Sequence, residues 1–100
     1  MAEKRKYYRG YVLCRLSKIG AEWDVVNKVI GMRKDDQWIV TYASPVYGNW
    51  DLIIEVSFSQ LDELDEIVTG IRTDVDLKDV IEETTTLVTS RPNYPLDDIE

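Results

Sequence analysis

The chain has 100 residues, a formal net charge of −7, a single cysteine and no histidine. That length suits one domain with one core between two layers. The missing residue types exclude an intrachain disulfide, a zinc site built from His and Cys within one chain, and Ser-His-Asp or Cys-His catalysis.

Residues 1–6 read as a flexible, mostly basic arm (Met1-Ala2-Glu3-Lys4-Arg5-Lys6). No uninterrupted apolar region follows it, so no signal peptide is expected and the cytoplasm is the default location. Residues 1–34 hold nine Lys/Arg against three Asp/Glu, a net +6, which leaves −13 for the rest. So acidic a balance argues against direct nucleic-acid binding, because phosphate repels it. No apolar run approaches the roughly 18 residues of a membrane span, and no membrane partner is expected.

Residues 7–16 predict a first strand. Tyr11, Val12, Leu13 and Cys14 are apolar without strict alternation, the pattern of a strand covered on both faces. Cys14 lies in that pattern and reads as a buried structural thiol. Residues 21–30 predict a helix with an apolar stripe of Trp23, Val26 and Ile30, flanked by Val29. Glu22 and Asp24 suit the positive end of its dipole, and Gly31 is placed to end it with a positive φ.

Residues 37–43 predict a second, more polar strand, with Pro45 at its end. The turn Tyr47-Gly48-Asn49 leads into a third strand, residues 50–56, rich in Trp50, Leu52, Ile53 and Ile54. Ser57-x-x-Gln60 and Ser59-x-x-Asp62 each resemble a capping box. The helix they open, residues 60–69, carries Leu61, Leu64 and Ile67 at helical spacing, continuing to Ile71, and Gly70 is placed to mark its end. Its carboxylates Asp62, Glu63, Asp65 and Glu66 read as a solvated face rather than a metal site. Residues 73–79 form a polar connection. Residues 80–89, with Thr84-Thr85-Thr86, predict a fourth strand suited to a sheet edge. Residues 91–100 form an acidic tail with two prolines. The domain itself is expected over residues 7–90.

The order β-α-β-β-α-β, with central strands one and three, predicts an α+β, ferredoxin-like fold. Its antiparallel sheet would run 4-1-3-2, with both helices on one face. The other face would then expose apolar side chains from strands one and three. Leaving large apolar side chains wet forfeits roughly 1.5–3 kcal/mol each. A sheet-packed dimer is therefore expected.

Gly48-Asn49-Trp50-Asp51, followed by Leu52, Ile53, Ile54 and Val56, resembles the Gly-x-x-Asp motif of one regulator family. It belongs to the effector-binding (RAM) domain of the Lrp/AsnC transcription regulators of prokaryotes. The likeness extends through the acidic helix and the Thr-rich strand, over about residues 8–89. It implies the ferredoxin-like fold, sheet-packed dimers, often rings of dimers, and a small-molecule site near the Gly-x-x-Asp turn. The ligand is usually an amino acid. Longer members carry a DNA-binding helix-turn-helix. Ten or fewer residues precede the first strand here, too few for that motif. The chain is thus similar to stand-alone members, which implies co-assembly with a longer regulator and transcription control through it.

The turn residues have two readings. In one, Gly48 lets the backbone approach a ligand carboxylate, Asp51 pairs with an ammonium, and Tyr42, Tyr47 and Trp50 wall a pocket. In the other, Gly48 supplies a positive φ, Asp51 holds backbone N–H groups and the aromatics pack the dimer. No catalytic constellation is present and no cofactor or metal is expected. The alternatives are a small dimeric enzyme, such as a cofactor-independent monooxygenase of the same fold, and a purely structural oligomer. A large cavity between helices and sheet would favour the enzyme.

Overall fold

Alternating burial along the two central strands sets the architecture. In β4 (Leu52–Phe58), Leu52, Ile54, Val56 and Phe58 are buried, while Ile53, Glu55 and Ser57 between them are half-buried. In β1 (Tyr8–Leu16), Gly10, Val12 and Cys14 are buried and pair antiparallel with Val56, Ile54 and Leu52. Successive side chains of a strand point to opposite faces, so these residues line one face of the sheet. The computed structural model describes residues 8–34 and 37–89. The expected arm (1–6) and tail (91–100) lie outside the described residues.

The remaining elements are α1 (Glu22–Val29), β2 (Arg33–Lys34), β3 (Trp38–Pro45), α2 (Leu61–Thr73) and β5 (Ile81–Val88). The sheet is antiparallel and runs β2-β3-β4-β1-β5. The expected four strands are thus joined by a fifth. Arg33 and Lys34 pair with Ile39 and Trp38, so β3 is covered at its start, while the rest of it keeps the edge position expected. No sequence period can declare a two-residue strand. It forms because the chain leaving α1 runs back along β3, with the Val40 N–H donating to the Met32 carbonyl at 2.8 Å.

Both helices cover the Val12–Ile54 face. Val25, Val26 and Val29 of α1 and Leu64, Ile67 and Ile71 of α2 join Val12, Cys14, Leu52, Ile54 and Phe58 in one core. Gly10 makes room for it: a Cβ there would lie 3.0 Å from the Phe58 ring and 3.3 Å from Leu64. The Phe58 ring also stacks on Tyr8, with centroids 6.0 Å apart.

The stripe expected on α1 is displaced. Val26 and Val29 are buried as expected, but Trp23 and Ile30 are exposed, at 63% and 45%, and Val25 joins the buried stripe in their place. Both stripes satisfy the helical period, and the compact valines fit the close helix–sheet layer. The end of α1 matches expectation, with Gly31 at φ +83°.

On α2 the cap and the end both differ from expectation. Gln60 is the N-cap, and the Glu63 carboxylate reaches back to accept from the backbone N–H groups of Ser59 (3.0 Å) and Gln60 (3.1 Å). Neither serine-led box forms. The helix also runs through Gly70 to Thr73, because burying Ile71 in the core outweighs the roughly 1 kcal/mol that a helical glycine costs. The connection after it is less polar than its composition suggests, since Leu77 is buried in the core. Lys28 binds Asp76 at 2.9 Å and ties that loop to α1.

The face away from the helices is mixed, not apolar. It presents Arg9, Tyr11, Leu13 and Arg15 from β1 and Ile53, Glu55 and Ser57 from β4. Near its middle, the Glu55 carboxylate accepts from the Tyr11 hydroxyl (2.9 Å) and the Thr41 hydroxyl (2.7 Å), with Arg9 at 3.9 Å. Burial, then the Glu55 hydrogen bond, push the Tyr11 phenol above its usual value. A bulge at Thr41 shifts the β3 register, so that Tyr42 rather than Thr41 pairs with Glu55. Strands β1 and β4 are therefore fully buried on one face and half-buried on the other.

Candidate functional site

The turn between β3 and β4 stands over the C-terminal end of β1. Gly48 has φ +117°, a conformation side-chain-bearing residues rarely adopt. Below it the Val46 N–H donates to the Asp51 carbonyl (3.1 Å) and the Asp51 N–H to the Cys14 carbonyl (2.9 Å). The Asp51 carboxylate accepts the Leu16 N–H at Oδ2, 2.8 Å away. Asp51 therefore does hold a backbone N–H, but one of β1 rather than of its own hairpin. Both it and Trp50 lie before β4 begins at Leu52, not within the strand.

Arg15 clamps the turn from the side. Its Nη2 and Nε donate to the Asn49 carbonyl at 2.8 and 3.3 Å, and its Nη1 donates to Glu83 at 3.0 Å. The guanidinium lies 4.8 Å from the Trp50 ring centre, within cation–π range. Turn, β1 and β5 are thus joined by one side chain.

Beside this turn lies an open cleft of about 550 Å³. Ser44, Pro45, Val46, Tyr47, Gly48 and Asp51 form one wall, and Glu22 and Trp23 from the start of α1 form the other. Tyr47 and Trp23 stand largely in solvent. The structure therefore brings together Gly48, Asp51 and Tyr47 among the expected binding residues.

Two others fall elsewhere. Trp50 is held under Arg15, and Tyr42 lies exposed on the open sheet face opposite Glu55; neither lines the cleft. Strand alternation places Tyr42 on that face, a consequence of the Thr41 bulge that the sequence does not announce. The reading of the sequence missed Glu22 and Trp23, assigned to dipole and core. An aromatic at the first turn of a helix whose buried stripe is already complete is the signal that could have found Trp23.

Two of the acidic helix residues have local partners. Glu63 caps α2, and Glu66 binds Lys34 at 2.6 Å, which holds the Glu66 carboxyl below the usual range. Among the described residues, no group of three or more His, Cys, Asp or Glu is placed to hold a metal ion. Burial pushes the Cys14 thiol up to about 12, which suppresses the nucleophilic thiolate. Among the described residues, no helix is long and apolar enough to cross a membrane.

No known family model matches the chain, and no curated protein matches it. Two solved structures do. One is a hypothetical protein, PHS023, from Pyrococcus horikoshii: 27% identity, TM-score 0.62, covering 82% of this chain and 88% of that one. The other, FFRP-DM1, shares 27% identity at TM-score 0.62, covering 82% of this chain and 97% of that one. These likenesses are consistent with an Lrp-like domain. The α+β sheet with its two helices is compatible with the ferredoxin-like fold.

Proposed function

We propose that the chain is a non-catalytic effector-binding and oligomerisation module of the Lrp/AsnC type, with a small molecule of amino-acid kind as its ligand. The observation that carries this reading is the joint placement of Gly48 and Asp51. They line one cleft, in a chain that shares a fold and 27% identity with FFRP-DM1, a feast/famine regulatory protein of the Lrp family. The cleft volume lies within the range of ordinary small-molecule sites, about 300–1,000 Å³. Gly48 offers backbone approach to a carboxylate, and Asp51 offers an oxygen to an ammonium.

The module pairs with a second copy through its open sheet face. There Leu13, Ile53, Tyr42 and Leu87 surround the Glu55 hydrogen bonds, and Tyr42 and Leu87 are about half exposed. Dimers build rings, or co-assemble with a longer DNA-binding regulator and adjust transcription through it, in the cytoplasm. The layer between helices and sheet is filled by the Val12–Ile54 core, which favours binding at the turn over an enzymatic pocket inside the subunit.

Isothermal titration of the full chain against the protein amino acids, with light scattering of the same sample, tests the proposal. Binding by a dimer or larger assembly is expected. A folded monomer that stays silent across the set refutes it.

A further inference from the structure

The cleft beside Gly48 carries a charge that amino-acid binding in general does not require. Its lining includes two carboxylates, Glu22 and Asp51, and no Lys or Arg. Arg15, beside the turn on β1, is engaged elsewhere: its guanidinium is held by the Asn49 carbonyl, Glu83 and the Trp50 ring. Two carboxylates lining one cleft repel an added anion.

We propose that this cleft takes an organic dication, two ammonium groups joined by a short apolar chain. This inference rests on the effector-binding reading and narrows it. A neutral amino acid brings one ammonium, for Asp51, and leaves Glu22 without a counter-charge. An acidic one adds repulsion. A dication sets one ammonium against each carboxylate, as charge-assisted hydrogen bonds.

The other walls suit the same chemistry. Trp23 and Tyr47 stand exposed at the cleft, and aromatic faces attract cations electrostatically. Pro45 and Val46 add apolar surface for methylene groups. The Leu16 N–H engages only Oδ2 of Asp51, so Oδ1 serves the ligand while Oδ2 keeps the turn in place. Two sources carry this chemistry, a basic amino acid and a free diamine. They differ in the carboxylate, for which the Gly48 backbone N–H is the donor offered by the turn.

The test is calorimetric titration of the full chain with L-lysine, cadaverine, L-norleucine and L-glutamate. Norleucine keeps the carbon chain of lysine without its terminal ammonium. Lysine or cadaverine should bind at least about tenfold tighter than norleucine, the loss expected when a hydrogen bond to a charged group is removed. Glutamate should bind more weakly than norleucine. Cadaverine matching lysine identifies a free diamine as the source; lysine alone identifies a basic amino acid. Glu22→Gln should erase most of the preference for lysine over norleucine, and added salt should weaken lysine more than norleucine. A melting curve checks that this first-turn substitution leaves the fold intact. Norleucine or leucine binding as tightly as lysine overturns the dication and leaves amino-acid sensing standing. Silence from all four, and from the wider amino-acid set, overturns both.

Discussion

Asp51 separates a structural from a binding role within one side chain, and a pair of substitutions takes the two apart. Its Oδ2 accepts the Leu16 N–H at 2.8 Å, where β1 ends and the chain turns toward α1. Asp51→Ala removes that acceptor and strands a part-buried N–H. A hydrogen bond to a charged group contributes about 1.5–3 kcal/mol when fully buried; partial exposure brings the expected loss to about 1–2 kcal/mol. For a chain of this size that lowers Tm by roughly 4–8 °C per kcal/mol. Asp51→Asn keeps an oxygen for the Leu16 N–H and removes the charge, so its stability loss should be no more than about 1 kcal/mol. Affinity for a cationic ligand should nevertheless fall about tenfold in Asp51→Asn, because the charge assistance is gone. Chemical denaturation and calorimetric titration of both variants give the four numbers. Asp51→Ala remaining within about 0.5 kcal/mol of wild type, the range of an ordinary surface substitution, would refute the anchoring role. Asp51→Asn losing as much stability as Asp51→Ala would refute the acceptor argument.

The other predictions concern the core and α2. Gly10→Ala places a Cβ 3.0 Å from the Phe58 ring and should destabilise by about 1–3 kcal/mol, measured by urea unfolding, as overpacking does. Gly70→Ala meets no neighbouring atom within 4 Å and should stabilise by about 0.5–1 kcal/mol; a loss instead would place Gly70 at a helix end with positive φ. The Cys14 thiol is raised from its ordinary 9.0 to about 12 by burial. Between those values the unfolded chain has released a proton that the folded chain retains. Stability contributed by the protonated thiol is therefore complete below about pH 9 and falls by about 1.4 kcal/mol per pH unit above it, until the folded thiol titrates. Cys14→Ala should remove that part of the alkaline slope, and a slope unchanged in the variant would contradict the assignment.

Element types were legible because periodicity reports them directly. Val12 and Cys14 on β1, and Leu64, Ile67 and Ile71 on α2, recur at strand and helix spacing and are buried as that spacing implies. Positive φ at Gly31 and Gly48 was legible for a similarly local reason, since only glycine adopts that conformation at little steric cost. Boundaries were less so. Gly70 looks like a stop when only its own propensity is weighed, and becomes helix interior once Ile71 has a core to enter.

The candidate site divides along the same line. Chain order alone determined that Gly48 and Asp51 share a turn, because only two residues separate them. Tertiary structure alone decided that Glu22 and Trp23 stand across from that turn, that Trp50 lies beneath Arg15 and that Tyr42 is on the far face of the sheet. Local preference depends on a few neighbouring dihedrals, which the chain carries with it everywhere. The facing of two elements depends instead on which of several equally periodic stripes the core accepts, and on where a bulge such as Thr41 resets the alternation. Those choices are settled only by the free energy of the whole assembled layer.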